Sequence, residues 1–373
     1  MNRLEIDDVT KVYDAGTNPV AAVKSLDLEI RPGEVVALLG SSGCGKTSTL
    51  RMIAGFESVT SGTMRIAGVD VERRPPARRN VAMAFEGYSL YPPMTVRENI
   101  GFALAAGGTD AAQIRQRVDD MAGMLEIDGI LERYPSSISG GQQQRTSLAR
   151  ALVRDAALHL LDEPMGQLEP QLRTLLRGRI KHFIKERGHT AILVTHDQTE
   201  ANALADRIAV LEGGELQQYA TPGVLRDRPS NLFTGTFIGE PPMNVIEAVP
   251  DVEGARVRLR LGEGVALDYA REAFSVPVLQ LLESRSHLHL GIRPHAVRLG
   301  EGGGAPARVT VNQWLGDQSH IATAFAGATL VAVEHDRVAA RVGDVVHVTL
   351  APDALHLFDS DTGVALAHGR ELA

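Results

Sequence analysis

The 373-residue sequence predicts an α/β domain built on a largely parallel sheet, followed by a smaller all-β domain of barrel type. Three observations lead there. Up to about residue 235, short apolar runs alternate with helical patterns: Val35 to Leu39, Val81 to Phe85, Ala157 to Leu161, Ala191 to Thr195 and Ile208 to Leu211. Runs this short and this uniformly apolar suit strands covered on both faces, as in parallel sheets. From about residue 236 the texture changes to "RVRLRL", "ARVTV" and "VVHVTL", broken by Gly and Pro; such alternation marks short antiparallel strands. Between 95 and 135 no strand-like run occurs, so a helical subdomain (about 86–155) is expected inside the first domain. The expected domains are 1–235 and 236–373.

Composition narrows the class. A hydrophobic fraction of 44% and a charged fraction of 23% are ordinary for a globular chain. The net charge of -8 argues against nucleic acid, which selects basic surfaces. The one basic run, "ERRPPARR" (72–79), lacks interleaved aromatics and reads as a solvated loop. The opening "MNRLEIDDVT" has no apolar h-region, and no apolar run nears the length of a spanning helix. One cysteine, Cys44, excludes an internal disulfide and fits a reducing compartment. A cytoplasmic protein is expected.

Within the first domain, "GSSGCGKT" (40–47) follows the strand "EVVALL" and opens the helical "TSTLRMIAG". This is the context a phosphate-binding loop needs: glycines turn backbone N–H groups inward, and the helix start adds partial positive charge. Gly40, Ser41, Ser42, Gly43, Cys44, Gly45, Lys46, Thr47 and Ser48 are the expected nucleotide-phosphate contacts, with Lys46 reaching the β- and γ-phosphates and Thr47 ligating Mg²⁺. Cys44 reads as a space-filler in this loop; near a helix start and beside Lys46 it is nonetheless expected to gain thiolate character and to react with alkylating agents unless nucleotide protects it.

The run "ALHLLDEP" (157–164) ends a buried strand on two acids. Asp162 can hold the metal shell and Glu163 can polarise an attacking water. In "SISGGQQQR" (137–145), Ser139 and the two glycines precede a helix and offer a second anion site. "AILVTHDQTEA" (191–201) ends another strand on His196, placed to contact a γ-phosphate. A further carboxylate, Glu86, ends the strand of "VAMAFEGYSLYPPMTV" (81–96).

Together these motifs resemble the ATP-binding cassette ATPases, specifically the subunits that energise carbohydrate importers of the maltose and glycerol-phosphate type. "NLFTGTFIGEPPMNV" (231–245) and "LGIRPHAV" (290–297) extend the resemblance to essentially the whole chain. It implies a P-loop NTPase cassette with a helical subdomain and an OB/TOBE-like C-terminal domain. It also implies roles: Tyr13 stacks on adenine, residues 40–47 are Walker A, 158–163 Walker B, and His196 the switch histidine. Glu163, His196 and Glu86 become catalytic; Thr47, Asp162 and Glu86 hold Mg²⁺. Cassettes of this family pair head to tail, so Ser139, Gly140, Gly141 and Gln142 would contact the ATP of the opposite subunit. A groove near Tyr88–Thr95 would receive a helix of a membrane permease, with an external solute-binding protein involved indirectly. The implied location is peripheral, at the cytoplasmic face of the inner membrane.

Two positions depart from the family pattern. Glu86 stands where glutamine is usual, and "GQLE" (166–169) replaces the usual Ser-Asn-Leu-Asp. Like charges about 4 Å apart repel by roughly 4 kcal/mol at an effective dielectric of 20, so Glu86 is expected to slow hydrolysis or alter metal dependence. The leading reading is an importer ATPase for a sugar, polyol or sugar-phosphate-like solute. Its alternative is a weakly or non-hydrolysing partner cassette in a heterodimer; homodimer and heterodimer both remain open. A soluble cassette acting on nucleic acid or ribosomes is opposed by the acidic balance and the appended β domain.

Overall fold

A computed structural model describes residues 2–14 and 18–372. The chain divides into two compact units, 1–222 and 223–373.

The first unit opens with strands β1 (Leu4–Tyr13) and β2 (Val20–Ile30), then β3 (Val35–Gly40), α1 (Lys46–Ala54), β4 (Ser61–Ile66), β5 (Val69–Asp70) and β6 (Val81–Ala84). Three helices follow: α2 (Val96–Ala106), α3 (Ala111–Met124) and α4 (Gly140–Leu152). The unit continues with β7 (Leu158–Asp162), α5 (Pro170–Glu186), β8 (Ala191–Val194), α6 (Gln198–Leu204), β9 (Arg207–Glu212) and β10 (Glu215–Ala220). All the strands expected from apolar runs are present within one or two residues of their expected ends. These five and β10 form one six-stranded sheet in the order β10-β9-β3-β8-β7-β6, parallel except at β9–β10. Every residue of β3, β7 and β8 is buried, which explains why they read as uninterrupted apolar runs.

A second, antiparallel sheet of order β2-β1-β4-β5 was not anticipated. In β1 the buried Leu4, Ile6 and Val9 are spaced by Glu5, Asp7 and Asp8, and register shifts interrupt its pairing with β2. The alternation is therefore broken and the run reads as polar. Helix α1 bridges the layers by burying Leu50, Met52 and Ile53 against residues of both sheets, worth about 1.5–3 kcal/mol each. The helical subdomain is present as expected. Its first helix is fixed by a capping box, in which Thr95 Oγ1 accepts from the Glu98 N–H and Glu98 accepts from the Thr95 N–H.

The second unit contains α7 (Pro222–Asp227, beginning at the boundary), α8 (Leu232–Phe237) and α9 (Val276–Ser284). The rest is β: β11 (Asn244–Glu253), β12 (Arg256–Arg260), β13 (Ala266–Ala270), β14 (Leu288–Ile292), β15 (Arg298–Gly300), β16 (Ala305–Trp314), β17 (Ser319–Phe325), β18 (Ala328–Glu334), β19 (Val345–Thr349), β20 (Leu355–Asp359) and β21 (Ala365–His368). They build two antiparallel sheets, β13-β12-β11-β14-β20-β21 and β15-β19-β16-β17-β18, with Leu290, Phe325, Leu330 and Val348 in their common core.

The unit boundary lies earlier than the expected 235/236. The Ser230 carbonyl accepts from the Ala365 N–H, the Leu232 N–H donates to Gly363, and Gly235 lies against Met243 and Phe358. Backbone pairing thus ties α8 to the β-rich unit.

Candidate active site

Strand register assembles the site. In β7–β8, Asp162 pairs with Val194; in β3–β8, Leu38 pairs with the same Val194; in β6–β7, Ala84 pairs with Leu161. The residues just beyond those pairs therefore emerge at one edge of the sheet, at the carboxyl ends of parallel strands. Lys46, Thr47, Glu86, Asp162, Glu163 and His196 all line one cleft of about 450 Å³ there.

The loop between β3 and α1 is shaped by glycine. Gly45, at the α1 N-cap, has a φ of 100°, and a Cβ there would strike the Ala22 carbonyl oxygen. The Lys46 ammonium donates to the Gly40 and Ser41 carbonyls, both at 2.8 Å, and Ser41 Oγ bonds Glu212. Cys44 corrects an expectation: its side chain is buried, and burial raises the thiol above its ordinary value despite Lys46. Desolvation outweighs the nearby positive charge, so the thiol is shielded and not activated. Tyr13 reaches the same helix through Ser48, its hydroxyl 3.2 Å from Ser48 Oγ, and the Lys11 ammonium sits 4.7 Å from the centre of its ring.

Glu163 is held at a positive φ of 46°, a conformation that costs a non-glycine residue about 1–3 kcal/mol and persists where surroundings over-determine it. They do so here. The Glu163 N–H donates to Val194 O at 2.9 Å, and its carbonyl accepts from Gln144 Nε2 at 2.7 Å. The turn aims the carboxylate at His196, whose Nδ1 lies 2.9 Å from Oε1. This bond raises the His196 pKa above its ordinary value and places the proton on Nδ1, leaving Nε2 as the imidazole's other face. Asp162 is 7% exposed, and its carboxyl is pushed up to about 6, first by burial and then by Glu86 and Glu163. Glu86 itself is exposed.

The expected signature residues occupy a different position, at the start of α4. Ser139 is the N-cap, accepting from the Gln142 N–H at 3.3 Å, while Gln142 Oε1 accepts from the Ser139 N–H at 2.9 Å. Gly140 and Gly141 open the helix between them. None of these four lines the cleft.

Two supporting residues escaped the sequence reading. Gln144 is 4% exposed and, besides holding the Glu163 carbonyl, accepts from the Gln167 N–H at 2.9 Å, joining α4 to the segment after β7. "QQQ" alone carries no signal of which glutamine turns inward. Replacing Gln144 with Ala strands two backbone groups; it is expected to destabilise the chain by on the order of 2 kcal/mol, readable as a lower urea midpoint at unchanged slope. Glu200 is 2% exposed and accepts from Thr195 Oγ1 at 2.9 Å; that hydroxyl also accepts from the Asp197 N–H at 3.0 Å. Asp197 takes Arg173 and Arg177 at 3.4 and 3.2 Å. The turn carrying His196 is thus braced from both sides.

Comparison with known proteins bears on this geometry. The ABC transporter family model matches residues 23–166, and the TOBE domain model matches 290–358. The xylose/arabinose import ATP-binding protein XacK of Haloferax volcanii is 41% identical, with 100% of this chain and 97% of XacK covered. The chain belongs to the ABC transporter ATP-binding family. The sn-glycerol-3-phosphate import ATP-binding protein UgpC 2 of Rhizobium johnstonii is 38% identical over 97% of this chain and 99% of its own length. The diacetylchitobiose uptake system ATP-binding protein MsiK of Streptomyces coelicolor is 37% identical over 98% of this chain and 100% of its own length. Among solved structures, a dimeric post-hydrolysis ATP-binding cassette, MJ0796 with ADP and Pi bound, superposes with a TM-score of 0.55 at 28% identity. It covers 58% of this chain and 98% of that one. The first unit is therefore an ATP-binding cassette, and the β-rich unit carries a TOBE domain.

The cleft fits nucleotide and metal. Gly43 leaves open space where a side chain would stand, and the Lys46 ammonium is at hand for phosphate. The Thr47 hydroxyl with the Asp162 and Glu86 carboxylates is an all-oxygen donor set suited to a hard cation. Among the described residues, no helix is long and apolar enough to cross a membrane.

Proposed function

We propose that this chain is the ATP-hydrolysing subunit of an importer for a sugar, polyol or sugar-phosphate-like solute. The observation that carries the reading is the Glu163–His196 pair at 2.9 Å beside the phosphate loop, in a chain whose near full-length relatives are named as import ATP-binding proteins. That pair also speaks against the alternative of a non-hydrolysing partner cassette.

Bound Mg²⁺ would supply charge neutralisation at the phosphates, held by Thr47, Asp162 and Glu86. The chain's own residues do the rest. Lys46 and the loop N–H groups bind and orient phosphate, and Tyr13 stacks on the base. Glu163 accepts the proton of the attacking water, and His196, fixed by Glu163, contacts the phosphate being released. Ser139, Gly140, Gly141 and Gln142 serve the nucleotide of a second cassette, so closure of the pair couples binding to movement. The permease helix docks beside Tyr88–Thr95. Support comes from an adjoining groove of about 450 Å³ that includes Pro93, Met94, Phe102 and Ile114, with Phe102 left 40% exposed. A solute-binding protein would act through that permease, and the chain would sit peripherally at the cytoplasmic face of the inner membrane.

The test is steady-state Mg²⁺-dependent ATP turnover of the purified chain, alone and with its co-purified permease. Turnover stimulated by the permease is expected. Absence of turnover in both settings, with ATP still bound, would mean that a second cassette carries the hydrolysis.

A further inference from the structure

The β-rich unit contains a cleft of about 650 Å³ to which the function above gives no role. Arg226, Arg228, Arg293 and Arg298 line it, together with His356 and His368. From Gly223 onward the chain carries thirteen arginines, no lysine and eighteen acids. Four arginines around one cleft therefore run against the acidic balance of the unit.

The acids at the cleft do not neutralise it evenly. Three acids line it: Glu371 is taken by Arg228 at 2.8 Å, Asp227 lies 3.9 Å from its sequence neighbour Arg226, and Asp353 makes no ion pair among the described residues. Arg293 spends its terminal nitrogens on the carbonyls of Gly235, Ile238 and Arg226, while its Nε is buried with no partner. Arg298 is exposed and makes no ion pair among the described residues.

The histidines add to the crowding. His356 and His368 are paired across β20–β21 with their Nδ1 atoms 3.0 Å apart, which obliges them to share one proton. Burial and then Arg226 pull Arg293 down to about 10, and burial, His368 and Arg293 hold His356 down to about 3, so His356 is an uncharged imidazole and the positive charge of the cleft is that of its arginines. Mutually repelling donors around a cleft are relieved by one ligand bearing several anionic oxygens, which guanidinium forks recognise in bidentate fashion. Arg226, Arg228, His368 and Glu371 all lie outside the segment that matches the TOBE domain. The cleft therefore reaches beyond what that match describes.

We propose that this cleft binds the phosphate group of a small soluble phosphorylated metabolite. The probe is inorganic phosphate, titrated calorimetrically into the full chain. Because the phosphate loop competes for the same probe, the background is Lys46→Ala. One remaining site is expected, and Arg226→Glu with Arg298→Glu should weaken it at least tenfold. Both side chains are exposed, so the melting temperature should not move. Imidazole C2–H resonances of His356 and His368 should shift on titration in Lys46→Ala and stay still in the triple variant. No heat at millimolar phosphate, or equal affinity with and without the two arginines, overturns the proposal. Recruitment of Lys46→Ala to phosphatidylglycerol vesicles, lost with the same two arginines, would assign the phosphate to a lipid headgroup and overturn the soluble-metabolite source.

Discussion

Glu163→Gln is expected to lower kcat for ATP hydrolysis by about 10²–10⁴, the range for loss of a positioned general base, while ATP affinity changes little. The exchange is nearly isosteric. The amide oxygen can still accept from His196 Nδ1, now at 2.9 Å from Glu163 Oε1. The backbone contacts of residue 163 with Val194 and Gln144 do not involve its side chain. What disappears is a basic oxygen able to take the proton of water, so the loss should fall on kcat and leave KM nearly unchanged. The variant should also accumulate an ATP-bound pair of cassettes, visible as a mass doubling by light scattering. Turnover within tenfold of wild type would show that another group accepts the proton, and the role given to Glu163 would then be wrong. His196→Ala complements the test. It frees the carboxylate from its partner without removing the base, so a smaller loss than that of Glu163→Gln is expected.

Much of this site is legible along the chain because its parts are local. The loop from Gly40 to Thr47 is contiguous, and the strand and helix that position it are its immediate neighbours. The acids after β7 and the histidine after β8 are likewise marked by buried apolar runs. That Glu163 and His196 touch is a different matter. They are thirty-three residues apart, and only the adjacency of β7 and β8 in the sheet brings them together. Nothing in the periodicity of either run specifies that order. The resemblance to a known family supplied it. Gln144 and Glu200 were invisible for a related reason: each is a polar residue on a helix that reads as ordinary, and its value comes from a backbone or hydroxyl partner set by tertiary packing. The thiolate character expected of Cys44 fails because charge proximity shows in sequence while burial does not, whereas its reading as a space-filler agrees with its buried side chain. The strand Leu4–Tyr13 was missed because its buried positions are separated by acids and its alternation is broken by register shifts.

Glu86→Gln is expected to act in the opposite direction to Glu163→Gln, raising kcat by roughly tenfold, a difference of about 1.4 kcal/mol. Glu86 lies exposed in the turn two residues beyond β6, and Asp162 ends the adjoining β7. Burial first, and then the Glu86 and Glu163 charges, push the Asp162 carboxyl from 3.8 to about 6. A raised carboxyl means that the unfolded chain gives up its proton first. Asp162 therefore costs folded stability progressively as pH rises from about 4 to 6, reaching roughly 3 kcal/mol at pH 7 at 1.36 kcal/mol per pKa unit. Removing the Glu86 charge should recover about 1 kcal/mol of that in metal-free chain at pH 7.5, and little at pH 4, where Asp162 is protonated in either case. The same change should move the acid limb of kcat/KM, which reports the free chain, down by about one pH unit. An unshifted limb with unaltered stability at pH 7.5 would mean that the Glu86 carboxylate lies too far into solvent to act on Asp162. The family departure at this position would then be neutral. A shifted limb with unchanged kcat would separate the two effects: Glu86 would tune the protonation of Asp162, the acid proposed to hold metal, without opposing the chemical step.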